Sequence, residues 1–197
     1  MSGNQLHGPT GAAAGIMAKT ALETLVLTFI ADDRPGLVEQ LSEAVSAAGG
    51  NWLESRMARL AEKFAGIARI EIARDQADTL NNVLSALEAD GFSLTIETAA
   101  TQTQPDGAVF NLELLGPDQP GIVHDISRCL SAHGVSVEEM ETDLRRAPMG
   151  GDMLFQARAR VRLPASLNAD ALGLALEDLA GALMVDLTLS QDMAERS

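Results

Sequence analysis

Tyrosine is absent from this 197-residue chain, and the other aromatic residues are few, at one tryptophan and five phenylalanines. Stacking platforms for exposed bases are therefore scarce. Basic residues are also few, because 14 Lys and Arg stand against 28 Asp and Glu and give a formal net charge of −14. Since nucleic acids and anionic membranes are bound through basic surfaces, this balance disfavours both as direct partners.

Cysteine occurs once, as Cys129, so no disulfide can form within the chain. That usage is typical of a reducing compartment and predicts a cytoplasmic protein. No apolar run approaches the roughly 18–20 residues that span a bilayer. The hydrophobic fraction of 46% and the charged fraction of 21% are ordinary for a globular protein. The length allows one domain or two small ones.

Two segments of low complexity set the predicted domain limits. Residues 1–20 lack the basic start and continuous apolar core of a secretory signal, and we interpret them as a flexible leader. Residues 101–107 have the polar, Pro- and Gly-containing composition of a linker. The sequence therefore predicts a first domain at 21–100 and a second domain at 108–197.

The two halves repeat each other at an offset of 85 residues. Asp33-Arg-Pro-Gly36 matches Asp118-Gln-Pro-Gly121, and each turn is followed by apolar residues at i, i+4 and i+8. That spacing predicts one face of a helix. The two stripes are Leu37, Leu41 and Val45 in the first half, and Ile122, Ile126 and Leu130 in the second. A repeat at fixed offset indicates a duplicated structural unit.

Each half predicts the order strand, helix, strand, strand, helix, strand. Residues 25–30 place apolar side chains on both faces, as in a central strand. The Asp of Asp-x-Pro-Gly is predicted to cap the first helix, which ends at Gly49 or Gly134. A second helix is predicted over about 75–90 and about 169–180, stopped by Gly91 or Gly181. The predicted fold class is α+β, with two ferredoxin-like βαββαβ domains.

The Asp-x-Pro-Gly-[Leu/Ile]-Val turn, with Gly49-Gly-Asn51 and Gly134-Val-Ser136 after the helix, resembles the ACT domain, a βαββαβ module that senses amino acids. Two such domains and nothing else are similar to the glycine cleavage system transcriptional repressor family. The resemblance implies a regulator of amino-acid metabolism that contacts a transcription activator rather than DNA. The alternative is a non-catalytic regulatory subunit of a metabolic enzyme. Pairing of the domains within the chain, or between the chains of a homodimer, is also implied.

The resemblance places an amino-acid ligand between this turn and a neighbouring domain. The residues that match its ligand-binding positions are Asp33, Gly36 and Asn51 in the first half, and Asp118, Gly121 and Ser136 in the second. Helix N–H groups beside the glycines would bind a carboxylate, and the aspartates would bind an ammonium. We expect Asn51 to close the first pocket. The alternative is that the aspartates are only helix caps and the other residues only shape turns.

Other residue patterns give weaker indications of a functional site. Cys129 and His133 could share a helix face as zinc ligands, but the first half has Ala44 where the second has Cys129, which favours a small core residue. No catalytic residue, metal or cofactor is predicted. Three arginines alternate along one strand and predict a basic sheet face, either solvated or facing carboxylates of another chain or domain: Arg158, Arg160 and Arg162.

Overall fold

The computed structural model describes residues 21–100, 106–147 and 153–192. The chain divides into two compact units between residues 102 and 103. The predicted leader, most of the predicted linker, and the hairpin expected at 148–152 lie outside the described residues. No helix in the described part of the chain is long and apolar enough to cross a membrane.

The first unit contains four strands and two helices in the order βαββαβ. They are β1 (Leu22–Asp32), α1 (Leu37–Ala47), β2 (Asn51–Leu60), β3 (Lys63–Ala73), α2 (Ala77–Leu87) and β4 (Ser93–Thr98). A short 3₁₀ turn flanks α2 on each side. The strands form one antiparallel sheet in the order β2-β3-β1-β4.

The second unit repeats this order. Its elements are β5 (Gly107–Pro117), α3 (Ile122–Ala132), β6 (Ser136–Arg146), β7 (Met153–Pro164), α4 (Ala169–Leu183) and β8 (Asp186–Gln191). The antiparallel sheet has the equivalent strand order, β6-β7-β5-β8. The prediction of two βαββαβ domains is confirmed. Strand β5 begins at Gly107, which the sequence had placed in the linker.

Each core lies between one face of the sheet and its two helices. Both predicted stripes are buried, with exposures of 0–3% for Leu37, Leu41, Val45, Ile122, Ile126 and Leu130. Strand β1 differs from prediction, because only its helix-facing residues are buried and Ile30 is 44% exposed. It is central in strand order, yet the helices cover a single face.

The first helix of each unit ends as predicted and begins differently. Gly49 and Gly134 have positive φ angles of 77° and 68°. The next residue donates its N–H to a carbonyl five residues back, as in a Schellman cap. At the other end, Gly36 and Gly121 are the N-cap residues, and they offer no side chain to cap either helix. The prediction that Asp33 and Asp118 cap these helices is therefore wrong, because Pro and Gly extend the turn by three residues.

Helix α4 is three residues longer than predicted. It continues through Gly181 to Leu183, and Met184 adopts the left-handed conformation at its C-cap, with φ 54°. A glycine within a helix weakens it without ending it, because termination needs a residue that leaves the helical region. The corresponding prediction for Gly91 is correct, since that residue has φ 90° after the 3₁₀ turn that follows α2.

Candidate functional site

A pocket of about 390 Å³ opens at the N-terminus of α1. It lies beside the β1–α1 turn, and the ring of Phe64 on β3 contributes to its wall. That ring also packs on Phe29 of the core, with 5.9 Å between ring centroids. The lining residues are Asp33, Arg34, Gly36, Leu37, Val38, Glu39 and Phe64. Two predicted residues, Asp33 and Gly36, therefore meet in one site.

The backbone at this turn suits an anion. Gly36 has φ 91°, a conformation that favours glycine, and a β-carbon added there would have a Glu39 carboxylate oxygen as its nearest neighbour, at 4.0 Å. Gly36 accepts the first helical hydrogen bond from the N–H of Gln40 at 3.0 Å. The preceding N–H groups lie in the first turn of α1, where they have no helical acceptor. A carboxylate placed here would also meet the positive end of the helix dipole.

The side chain of Asp33 already faces a cation. Its Oδ2 atom lies 3.2 Å from Nε of Arg59 at the end of β2. The Asp33 N–H donates to the carbonyl oxygen of Glu62 at 2.9 Å, which holds the β1–α1 turn against the β2–β3 turn. A ligand ammonium would therefore have to share Asp33 with Arg59. The sequence prediction missed Arg59, although the βαββαβ order brings the end of β2 to this turn.

Arg34 connects the same turn to the end of the second helical segment. Its Nη2 donates to the side-chain oxygen of Gln40 at 2.9 Å and to the carbonyl oxygen of Asp90 at 3.3 Å. The guanidinium carbon lies 5.8 Å from the centroid of Phe92, within cation–π range. These contacts fix the outer wall of the pocket.

The adjacent aspartate has a separate partner. Lys63 on β3 donates a hydrogen bond to Asp32, its register partner at the end of β1. This hydrogen bond and the charge of Lys63 hold the pKa of Asp32 below its ordinary value. Asp32 and Asp33 therefore each face their own cation, and they do not form a carboxylate pair.

Asn51 does not reach this pocket. It pairs with Glu71 on β3, whereas Asp32 pairs with Lys63. Eight residues of β3 separate the two levels, which is roughly 26 Å at about 3.3 Å per residue. The expectation that Asn51 closes the pocket within its own domain is therefore wrong, because α1 runs back across the sheet before β2 begins. A binding role for Asn51 remains a prediction, at a site other than this pocket.

The second unit has the same separation. Asp118 follows β5 and Gly121 caps α3 with φ 92°, while Ser136 pairs with Arg162 at the far end of β7. The register partners Pro117 and Leu154 mark the near end. Again, eight residues of β7 lie between the two levels.

The two copies differ in what faces the aspartate. At the offset of 85 residues, Arg59 of the first copy corresponds to Leu144 of the second. Each lies opposite a phenylalanine of the neighbouring strand, Phe64 or Phe155. Leu144 is 49% exposed and brings no charge to this turn. An ammonium at Asp118 would thus meet no competing cation from this position.

The predicted basic row on β7 faces carboxylates of its own domain. Alternation along β7 is confirmed, since Phe155, Ala157, Ala159 and Val161 point into the core. Arg162 is only 8% exposed, and its guanidinium donates to Glu138 on β6 at 2.5 Å and to the carbonyl oxygen of Gly107 at 3.0 Å. Arg160 pairs with Asp192 at 3.2 Å. Only Arg158 is exposed. The expected partner carboxylates therefore come from within the unit.

Cys129 packs against the second core, which confirms the interpretation as a small core residue. Burial raises the pKa of its thiol. His133 donates from Nδ1 to the carbonyl oxygen of Cys129 at 2.8 Å. Among the described residues, no group of three or more His, Cys, Asp and Glu side chains could hold a metal ion.

Comparison with known proteins assigns the first unit to a protein family. Residues 23–101 match the model of the ACT domain. This unit is an ACT domain. The second unit repeats its strand order, its glycine-capped first helix and its Schellman turn, so both units share one βαββαβ fold.

Three known proteins resemble this chain over most of its length. The glycine cleavage system transcriptional repressor of Escherichia coli (strain K12) is 24% identical over 79% of this chain and 82% of its own. The crystal structure of an unknown protein from Galdieria sulphuraria has a TM-score of 0.80 and 28% identity, covering 88% of this chain and all of its own. A putative glycine cleavage system transcriptional repressor has a TM-score of 0.64 and 17% identity, covering 87% and 98%.

Proposed function

We propose that this tandem ACT protein is an amino-acid-sensing regulator of glycine metabolism. The proposal rests on the similarity to the Escherichia coli repressor, which extends over 79% of this chain and therefore includes parts of both ACT domains. A match limited to one domain would support only a shared module, because one fold carries many functions. Two ACT domains account for all the described residues, and the proposal assigns them no catalytic role.

The proposed mode of regulation is protein contact. A formal net charge of −14 opposes binding to phosphate backbones, and two arginines of β7 are engaged by carboxylates of their own domain. The protein partner is a transcription activator in this proposal. Amino-acid binding at the β1–α1 and β5–α3 turns would change which surfaces the partner meets.

The proposed ligand is a free α-amino acid. Its carboxylate binds the N–H groups at the start of α1 or α3, and its ammonium faces Asp33 or Asp118. Arg59 competes for Asp33, whereas Leu144 leaves Asp118 to the ligand. Asp118 is therefore the stronger ammonium site in this proposal.

A reporter experiment tests the regulatory role. A glycine cleavage promoter is fused to a reporter in the source organism, with and without the gene for this protein. We expect deletion to raise expression, and purified protein to leave the promoter DNA unshifted in an electrophoretic assay at 150 mM salt. Unchanged expression, together with co-purification of a metabolic enzyme, would favour the alternative of a regulatory subunit. A shifted promoter would contradict the protein-contact mode.

A further inference from the structure

The second domain contains an apolar groove beside α4, away from the predicted ligand turn. Its volume is about 480 Å³. The walls come from one face of α4 and from the helix-facing side of β5 and β8. Apolar side chains form most of the lining, with two carboxylates at the rim. The lining residues are Phe110, Ala169, Asp170, Gly173, Leu174, Leu176, Glu177, Leu187 and Leu189.

Two adjacent residues of α4 give the groove its shape. Leu174 is 65% exposed. A β-carbon added at Gly173 would meet nothing within 4 Å, so the helix backbone is open to an approaching group at this position. Strand β8 lies at the edge of its sheet, next to β5. Space for another element therefore exists beside α4 in the helix layer.

The first domain serves as an internal comparison. Leu80 and Leu84 of α2 are buried to 0–1%, like Leu172 and Leu176 of α4, which aligns the two helices at an offset of 92. The counterparts of Gly173, Leu174 and Glu177 are then Asn81, Asn82 and Ser85. Polar residues thus occupy these exposed positions in one copy, while the other copy has an open backbone, a leucine and a carboxylate. The shared fold does not require the apolar groove.

The negative charge around the groove indicates which kind of partner would bind there. Between residues 163 and 192 the sequence has five acidic residues and no Lys, Arg or His. Two of them, Asp170 and Glu177, lie at the groove. A second copy docking through the same face would bring like charges together, which is unfavourable. A basic partner avoids this repulsion and gains pairing at the rim.

We propose that this groove binds an amphipathic helix of a protein partner, with apolar side chains packed between α4 and β8 and lysine or arginine side chains paired with Asp170 and Glu177. A helix lying beside α4 continues the helix layer, and Gly173 permits the short axis separation that small residues allow. The inference deepens the proposed function, since it rests on regulation by protein contact and names the contacting surface.

The test uses the full chain and a synthetic 18-residue Leu/Lys peptide whose leucines recur at i, i+3, i+4 and i+7. Fluorescence anisotropy measures its binding. A peptide of the same composition in shuffled order, without an apolar stripe, controls for attraction to net charge alone. We expect the striped peptide to bind at least tenfold more tightly than the shuffled one.

Matched variants locate the binding site. Leu174→Asn should weaken binding of the striped peptide about tenfold, whereas Leu22→Asn, which removes a leucine of 61% exposure in the first domain, should leave it unchanged. The double variant Asp170→Asn/Glu177→Gln should weaken binding and flatten its salt dependence. The double variant Asp78→Asn/Glu88→Gln removes the same charge from the first domain. It should change neither the affinity for the striped peptide nor the salt dependence of binding. Thermal melts verify that each variant is folded.

Three outcomes would overturn the inference. They are equal binding of both peptides, equal effects of the Leu174 and Leu22 variants, and no binding at 1 mM peptide. A dimer that Leu174→Asn dissociates in sedimentation would assign the groove to a second copy instead. The reporter experiment above is measured separately, so failure of the peptide to bind would overturn the groove proposal and leave the regulatory proposal standing. Unchanged reporter expression beside stripe-specific peptide binding would instead overturn the regulatory proposal.

Discussion

The side-chain amide of Gln119 donates a hydrogen bond of 2.7 Å to the carbonyl oxygen of Leu183, the last residue of α4. Arg34 makes the equivalent contact in the first domain, from the same position of the Asp-x-Pro-Gly turn to the carbonyl oxygen of Asp90. In both domains, the turn before the first helix is thereby attached to the end of the second helical segment. The predicted ligand turn is fixed by this contact.

Replacing Gln119 by alanine should destabilise the second domain. The end of α4 loses a donor, and a typical net loss is about 1 kcal/mol in the free energy of unfolding. Gln119→Arg, which installs the residue of the first domain, should retain most of the stability. Thermal or urea unfolding measures both variants. Equal destabilisation by Ala and Arg would show that the contact contributes nothing specific.

The two aspartates should differ as ligand contacts. Asp118→Ser should weaken binding of a responding amino acid about ten- to a hundredfold at the second turn, because a charged hydrogen bond is lost. Asp33→Ser should have a smaller effect, since Arg59 already engages that carboxylate. Isothermal titration of the twenty amino acids identifies the ligand first, and the variants follow.

Arg59→Leu provides the matched control, because it gives the first copy the residue of the second. We expect it to tighten binding at Asp33. Neither aspartate caps a helix, so these substitutions should leave the melting temperature nearly unchanged. If no amino acid produces heat or a thermal shift in the parent protein, the site assignment is wrong and the turns serve only to shape the domains.

Met184→Gly should raise the stability of the second domain. A β-carbon in the left-handed region costs roughly 1 kcal/mol, and the Met184 side chain is 77% exposed, so little packing is lost. Because glycine also gains entropy when unfolded, the net increase should be below about 1 kcal/mol. Differential scanning calorimetry measures the shift. A lower melting temperature would contradict this account of the α4 terminus.

Cys129 should react slowly with alkylating reagents in the folded protein. Burial raises the thiol pKa, so a smaller fraction is thiolate at pH 8 than for a free cysteine, and thiolate is the reactive form. Mass spectrometry can follow iodoacetamide labelling in buffer and in denaturing guanidinium. We expect markedly faster labelling in guanidinium. Equal rates in the two conditions would rule out the shielding.

Local sequence signals predicted most of the fold. The apolar stripes of α1 and α3 and the glycines after them follow from helical periodicity and from the left-handed C-cap, both short-range effects. Strands β2 and β6 follow these glycines in the predicted order, beginning at Asn51 and Ser136. The predicted end of α4 at Gly181 is wrong. A glycine permits the left-handed turn that ends a helix, but the chain makes that turn at Met184.

The candidate site was harder to predict, because its residues meet only through sheet register. Asn51 is close to the Asp33 turn in sequence but lies at the other end of the strands. Arg59 is farther along the chain and contacts Asp33 directly. Burial of Arg162 likewise depends on Glu138, which β6 supplies from the neighbouring strand. Spacing along one element contains none of this information.

In the proposed sensor, the exchange of Arg59 for Leu144 has a consequence for the range of amino-acid concentrations that it detects. Two identical sites on one chain would fill together as the amino-acid concentration rises. Two sites whose carboxylates differ in competition from an arginine would fill in succession, first at Asp118 and then at Asp33. A sensor of this kind would respond over a wider range of amino-acid concentration than two identical sites allow.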